Sequence, residues 1–161
     1  MRFTDNMDKA MKELISHGAF LTSKSSEGVN TMTISWGFIG MIWAKPFFIA
    51  LVRPQRYTKK IIEKSDSFTI SIPYGKTLKE QLKICGTQSG GDIDKSEIVE
   101  FSKAKAVKSP VVRCCNMYYE CKIVSAQEMN AASIPKDIIK QFYKDDFHTM
   151  YIGEIVECYE K

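Results

Sequence analysis

At 161 residues, with 44% hydrophobic and 26% charged side chains, the chain has the make-up of one globular domain, long enough to bury roughly 70% of its extended surface. Its net charge of +4 comes from lysines interspersed with acidic residues, and without a basic block or nucleic-acid motif it argues against DNA or RNA as a partner. The longest apolar run, "GFIGMIWA", stops at Lys45-Pro46, far short of the ~20 residues that cross a membrane.

In chain order, "TDNMDKAMKELISHG" comes first. Met7, Ala10, Met11, Leu14 and Ile15 recur at one-face helical spacing, and Gly18 stands where a helix stops. This opening has acidic residues where a signal peptide has a continuous apolar region, so a cytoplasmic protein is expected. "AFLTS" predicts a strand and "KSSEG" a turn. "NTMTISWGFIG" then predicts a second strand that completes a hairpin. In that strand Asn30, Met32, Ile34, Trp36 and Phe38 share one face, which reads as core. Thr31, Thr33, Ser35 and Gly37 share the other, a ladder of hydroxyls ending at a bare glycine.

"FFIALV" predicts a short strand covered on both faces, and "RPQRYTKKIIEKS" a turn running into a short helix. "SFTISI" follows as an alternating strand. "TLKEQLKICG" predicts a helix opened by Thr77 and Glu80 at capping-box spacing. A glycine-rich loop, "GTQSGGDIDKSEIVEF", leads to a further helical turn. "VVRCCNMYYECKIV" predicts one long strand and "TMYIGEIVECY" a last one, with "IPKDIIKQFYKDD" between them as a short helix or an irregular excursion. Hairpins and short helices join the strands without regular β-α-β repeats. That predicts a mainly β domain over residues 1–161, an antiparallel sheet closed into a barrel with peripheral helices.

Five cysteines, odd in number and without a C-x-x-C pair, fit a reducing compartment. Cys114, Cys115 and Cys121 read as buried thiols on a strand or, less simply, as part of a metal site; two histidines give little to build one from.

Two further stretches bear on function. "VRPQRYTKK" sets Arg53 and Arg56 three residues apart at a strand-to-helix turn, followed by Thr58 and the free N–H groups of the helix. That chemistry suits a phosphate, and equally an exposed turn with two solvated arginines. "CGTQSGGDIDK" puts Gly90 and Gly91 among Thr87, Ser89 and Asp92, with Lys95 following; it reads as a flexible loop or as one whose backbone comes close to a ligand. It fits neither the P-loop nor the dinucleotide fingerprint. No nucleophile–base arrangement is legible.

Taken in order, "NxMTxSW", "VRPQRYT", "CGTxSGxxxDK" and the closing "HTMYIGEIVECY" resemble the flavin reductase-like, FMN-binding split-barrel family, flavoredoxins included. The resemblance runs from about Gly18 to the end. It implies an antiparallel split β-barrel, FMN as cofactor and a homodimer with the flavin near the subunit interface. It implies further that Thr31, Thr33 and Ser35 run beneath the ring, with Asn30, Met32 and Trp36 bordering it. Arg53, Arg56 and Thr58 would hold the phosphate; Thr87, Ser89, Gly90 and Lys95 would close over the ring, and His148 would approach its edge.

The expected function is an FMN-dependent oxidoreductase passing electrons from NAD(P)H or a redox protein to an acceptor. The alternatives are an electron-transfer carrier of the same fold without nicotinamide turnover, and a non-enzymatic module for another phosphorylated ligand. Residues 133–146 match nothing in the resemblance.

Overall fold

The computed structural model describes residues 1–161. Its helices are α1 (Met7–His17), α2 (Tyr57–Ile62), α3 (Lys79–Thr87) and α4 (Lys136–Phe142). The strands are β1 (Ala19–Ser25), β2 (Gly28–Ile34), β3 (Gly37–Ile42), β4 (Lys45–Val52), β5 (Ser67–Ile72), β6 (Phe101–Ser102), β7 (Val111–Val112), β8 (Met117–Glu128) and β9 (Thr149–Glu160). Seven strands form one sheet in the order β2-β1-β5-β8-β9-β4-β3, and β6 with β7 forms a small second one. Every ladder is antiparallel.

The two edge strands of the large sheet, β2 and β3, are consecutive in the chain and separated only by Ser35 and Trp36. Chain continuity therefore brings the edges to a common corner, and the sheet has to roll to allow it. The core agrees. Leu21, Met32, Phe48, Ile70, Tyr119 and Tyr151, one from each of six strands, are buried in a single cluster with Ala10 and Leu14 of α1. That face is the inside of the roll. A second cluster lies on the outside, where Phe20, Tyr118 and Tyr159 meet Leu82 and Cys85 of α3.

Several expectations are corrected. No ladder joins β2 to β3, so the roll is not closed by hydrogen bonds. The single strand expected over residues 30–40 breaks at Ser35-Trp36, the corner itself. Gly37 belongs to that corner: a Cβ there would stand 2.9 Å from the Phe48 ring and 3.1 Å from the Ile49 carbonyl, so only glycine lets β3 start this close to β4. The long strand expected over residues 111–124 is interrupted at Arg113–Asn116, where Cys114 takes a φ of 62° and the chain passes from the small sheet to the large one.

The capping box is not made. Leu78, held against the outer cluster, takes the position before α3 with a φ of 56°, and its carbonyl accepts the first helical bond, from Leu82 N at 2.9 Å. Ile15, counted to the buried face of α1, is 68% exposed. Four of the five cysteines are buried and Cys114 is exposed. No helix is long and apolar enough to cross a membrane.

Candidate functional site

Two adjoining cavities share Met32, Arg53 and Arg56 in their walls and make one cleft. The smaller, about 260 Å³, reaches Ser35, Trp36, Leu51 and His148 and is the aromatic end. The larger, about 550 Å³, reaches Asn30, Thr58, the loop Thr87–Gly90 and Lys95 and is the polar end.

Met32, Thr33, Ile34 and Ser35 are consecutive, yet all four line the aromatic end. Successive side chains on a strand point to opposite faces, so consecutive residues line a cavity together through the strand's edge. β2 pairs with β1 alone, which leaves that edge open. Thr31 identifies which residues turn their backbone outward, because its carbonyl accepts a bond from Lys95 Nζ at 2.8 Å. By antiparallel alternation Thr33, two residues on, also directs its N–H and C=O away from β1.

The hydroxyl ladder does not lie open as a bed for a ring. Thr31 Oγ1 donates to the Leu21 carbonyl at 3.2 Å and accepts from Thr22 Oγ1 at 2.9 Å, all inside the fold. Thr33 Oγ1 donates to the Leu82 carbonyl of α3 at 2.6 Å. The threonine face is the one α3 covers. Asn30, assigned to the core face, instead opens on the polar end.

At that end Asn30 Nδ2 donates to Thr58 Oγ1 at 2.8 Å, which fixes both side chains. The loop after α3 comes down on them. A Cβ on Gly90 would overlap the Asn30 amide oxygen and stand 3.0 Å from the Tyr57 ring, so glycine is what allows the approach. Thr87 Oγ1 bonds back to the Lys83 carbonyl and Ser89 Oγ accepts from Gly91 N, so both residues shape the loop.

Two cations face the polar end without a carboxylate partner. Arg56 Nη1 donates to the Gly86 carbonyl at 2.6 Å, and the guanidinium is held below its usual pKa, first by burial and then by Arg53. Lys95 is 5% exposed. Its Nζ bonds the carbonyls of Thr31 and, at 3.0 Å, Cys85, and burial is the main cause of its lowered pKa. Buried cations without counter-charge favour an anion as ligand. Lys95 lines the polar end and ties β2 to α3.

Arg53 differs from its neighbour. Its guanidinium pairs with Asp146 and donates to the Phe142 carbonyl at 2.8 Å, so it is committed to the segment that no sequence pattern explained. The Asp146 carboxyl is held far below the usual carboxylate range by the Lys144 backbone N–H and then by Arg53. At the aromatic end the Trp36 ring stands 5.6 Å from Phe142 and 5.4 Å from His148. His148 Nδ1 lies 2.9 Å from the Tyr143 hydroxyl, and burial, then Arg53, lowers its pKa to about 4, so the imidazole is neutral near pH 7.

The sequence reading thus brings together Asn30, Met32, Thr33, Ser35, Trp36, Arg53, Arg56, Thr58, Thr87, Ser89, Gly90, Lys95 and His148 around one cleft, and leaves Thr31 behind its wall. It missed Ile34, Leu51, Gln55, Tyr57 and Gln88, all of which line the cleft. Gln55 and Tyr57 stand inside the quoted "VRPQRYT" and were within reach. Phe142, Tyr143 and Asp146 carried no local signal.

Residues 11–161 match the family model of the flavin reductase like domain. Flavoredoxin from Methanosarcina acetivorans superposes with a TM-score of 0.72 at 22% identity, over 89% of this chain and 68% of that one. An FMN-binding protein from Thermus thermophilus, solved with bound 1-cyclohex-2-enone, gives 0.68 at 21% identity over 89% and 69%. A relative from Archaeoglobus fulgidus is 25% identical over 139 residues, 85% of this chain and 68% of that protein. At these identities the structural likeness is one of fold.

Proposed function

The chain belongs to the flavin reductase-like family, and from that premise we propose that it is an FMN-binding flavoprotein oxidoreductase. The observation that carries the choice of FMN is the pair of cations without a carboxylate partner, Arg56 and Lys95, at one end of a cleft whose other end is aromatic. A phosphate answers the cations and a planar ring answers the aromatic end. We read the rolled sheet as an antiparallel split barrel, the split being the open edge of β2.

In this reading Arg56, with Lys95 behind it and Thr58 beside it, holds the phosphate. Thr87, Ser89 and Gly90 wall that end. The open edge of β2, Thr33 above all, offers backbone donors and acceptors to the polar side of the ring, and Ser35, Trp36 and His148 bound the aromatic end. FMN held there would supply redox chemistry between an electron donor, NAD(P)H or a redox protein, and an acceptor. The chain's own part is to hold the ring, exclude water and keep His148 neutral beside it.

A carrier role without nicotinamide turnover is the second reading. It is favoured by the Phe142 ring, which already stands edge-on to Trp36 at the aromatic end, where a nicotinamide would have to stack.

We propose a homodimer as the working form, in the cytoplasm. β3 is an edge strand, and Phe38, Met41 and Trp43 on and beside it are 48%, 57% and 71% exposed, an apolar surface that suits a second copy. The test of cofactor choice is a paired titration with FMN and riboflavin. FMN should bind at least tenfold more tightly, and equal affinities would mean that the cations do not serve a phosphate.

A further inference from the structure

The segment from Met129 to His148 is exposed along most of its length, and α4 within it buries no residue. A segment so weakly tied to the core has little reason to hold one position, unless its few contacts matter. Several of those contacts reach residues of the cleft. The Phe142 ring meets Trp36 edge-on and its carbonyl accepts from Arg53; Asp146 pairs with Arg53 and accepts from Gln55 Nε2 at 2.9 Å; Tyr143 meets His148. Asp146 is itself held in place by the Lys144 backbone N–H at 2.8 Å.

We propose that residues 129–148 form a lid over the aromatic end of the cleft, latched by the Arg53–Asp146 ion pair, which opens to admit a planar second substrate. The latch stands on the contacts alone, whereas the gating role rests on the FMN reading. With the lid down the aromatic end offers about 260 Å³. Trp36, Arg53 and His148, the residues this segment holds, are three walls of that end, and in this reading a second ring takes the place that Phe142 occupies against Trp36. Segments with few buried contacts open locally at low free energy, and one polar latch is then a large share of what holds them.

Two measurements test this. Trypsin acting on the ligand-free protein should cut after Lys136, Lys140 and Lys144 about fivefold faster in Asp146→Asn than in the unaltered chain, because cleavage follows the open population. Exchanging the charges, Arg53→Glu with Asp146→Arg, should return the rate to within about twofold of the original. Equal rates in the unaltered chain and Asp146→Asn, or a double variant as labile as the single one, would overturn the latch.

For gating, FMN-loaded protein is photoreduced and mixed with menadione or with dioxygen. Asp146→Asn should speed oxidation by menadione at least threefold and leave oxidation by dioxygen unchanged, since only the larger acceptor needs the lid open. The same change with both acceptors, or with neither, would overturn the gating role. A protein that takes up no FMN would end the cofactor reading and leave the proteolysis result to decide the latch.

Discussion

Replacing Arg56 by alanine tests the polar end of the cleft apart from the rest of it. The guanidinium is half-buried, makes one bond to the Gly86 carbonyl and has no carboxylate partner, so its loss leaves no orphaned charge in the protein. A charge-assisted hydrogen bond contributes roughly 1.5–3 kcal/mol, which is about a 10- to 150-fold loss in affinity for a ligand that uses it. FMN binding should weaken by that factor, and riboflavin binding by less than about threefold, since riboflavin has no phosphate to lose. Arg53→Ala should discriminate far less between the two ligands, because its guanidinium is already engaged by Asp146 and the Phe142 carbonyl. Fluorescence titration of both ligands against both variants reads this directly. Equal losses of FMN and riboflavin in Arg56→Ala would refute the phosphate reasoning, and greater discrimination at Arg53 than at Arg56 would reverse the assignment.

Lys95→Ala strips a donor from the Thr31 and Cys85 carbonyls and should destabilise the fold by about 1–3 kcal/mol, read as a lower Tm, while the potential of bound FMN stays put. An unchanged Tm with a shifted potential would return Lys95 to the ring. For His148 the pKa falls from 6.5 to about 4 on folding, so the unfolded chain takes the proton first as pH drops. Its contribution is therefore complete above pH 6.5 and is lost between 6.5 and about 4, up to about 3 kcal/mol in all. Thermal melts should show a shallower decline from pH 7 to pH 5 in His148→Gln than in the unaltered protein, and parallel declines would exclude His148 as the cause. Met41→Asp with Trp43→Asp should give a monomer by sedimentation at micromolar concentration, and an unaltered mass would move the interface away from β3.

Much of this was legible in the sequence because the informative groups are local. "VRPQRYT" places Arg56 and Thr58 at the start of α2, and "CGTQSGG" carries the glycine that a close approach needs, although the partner it meets, Asn30, lies far away in the chain. In "NTMTISW" the alternation predicts the strand as far as Ile34, and of the three hydroxyls Thr31 is turned inside the fold while Thr33 and Ser35 line the cleft. Alternation tells which side chains share a face but not which face a helix will cover, and α3, some fifty residues on, covers the threonines. The break at Ser35-Trp36 depends on the sheet rolling, which periodicity does not carry. Asp146 was out of reach for a related reason: its carboxylate meets Arg53 across 93 positions of chain, and α4 has no buried stripe to mark the element that presents it.

The measurement closest to the central claim is the visible spectrum of the purified protein during titration with FMN. The cleft, with its cations, open strand edge and aromatic end, should bind one FMN per chain with a Kd of about 1 μM or tighter, equivalent to about 8 kcal/mol, and the flavin bands should shift as the ring leaves water. A colourless protein whose addition leaves the FMN spectrum unchanged at a hundred times that concentration would contradict it.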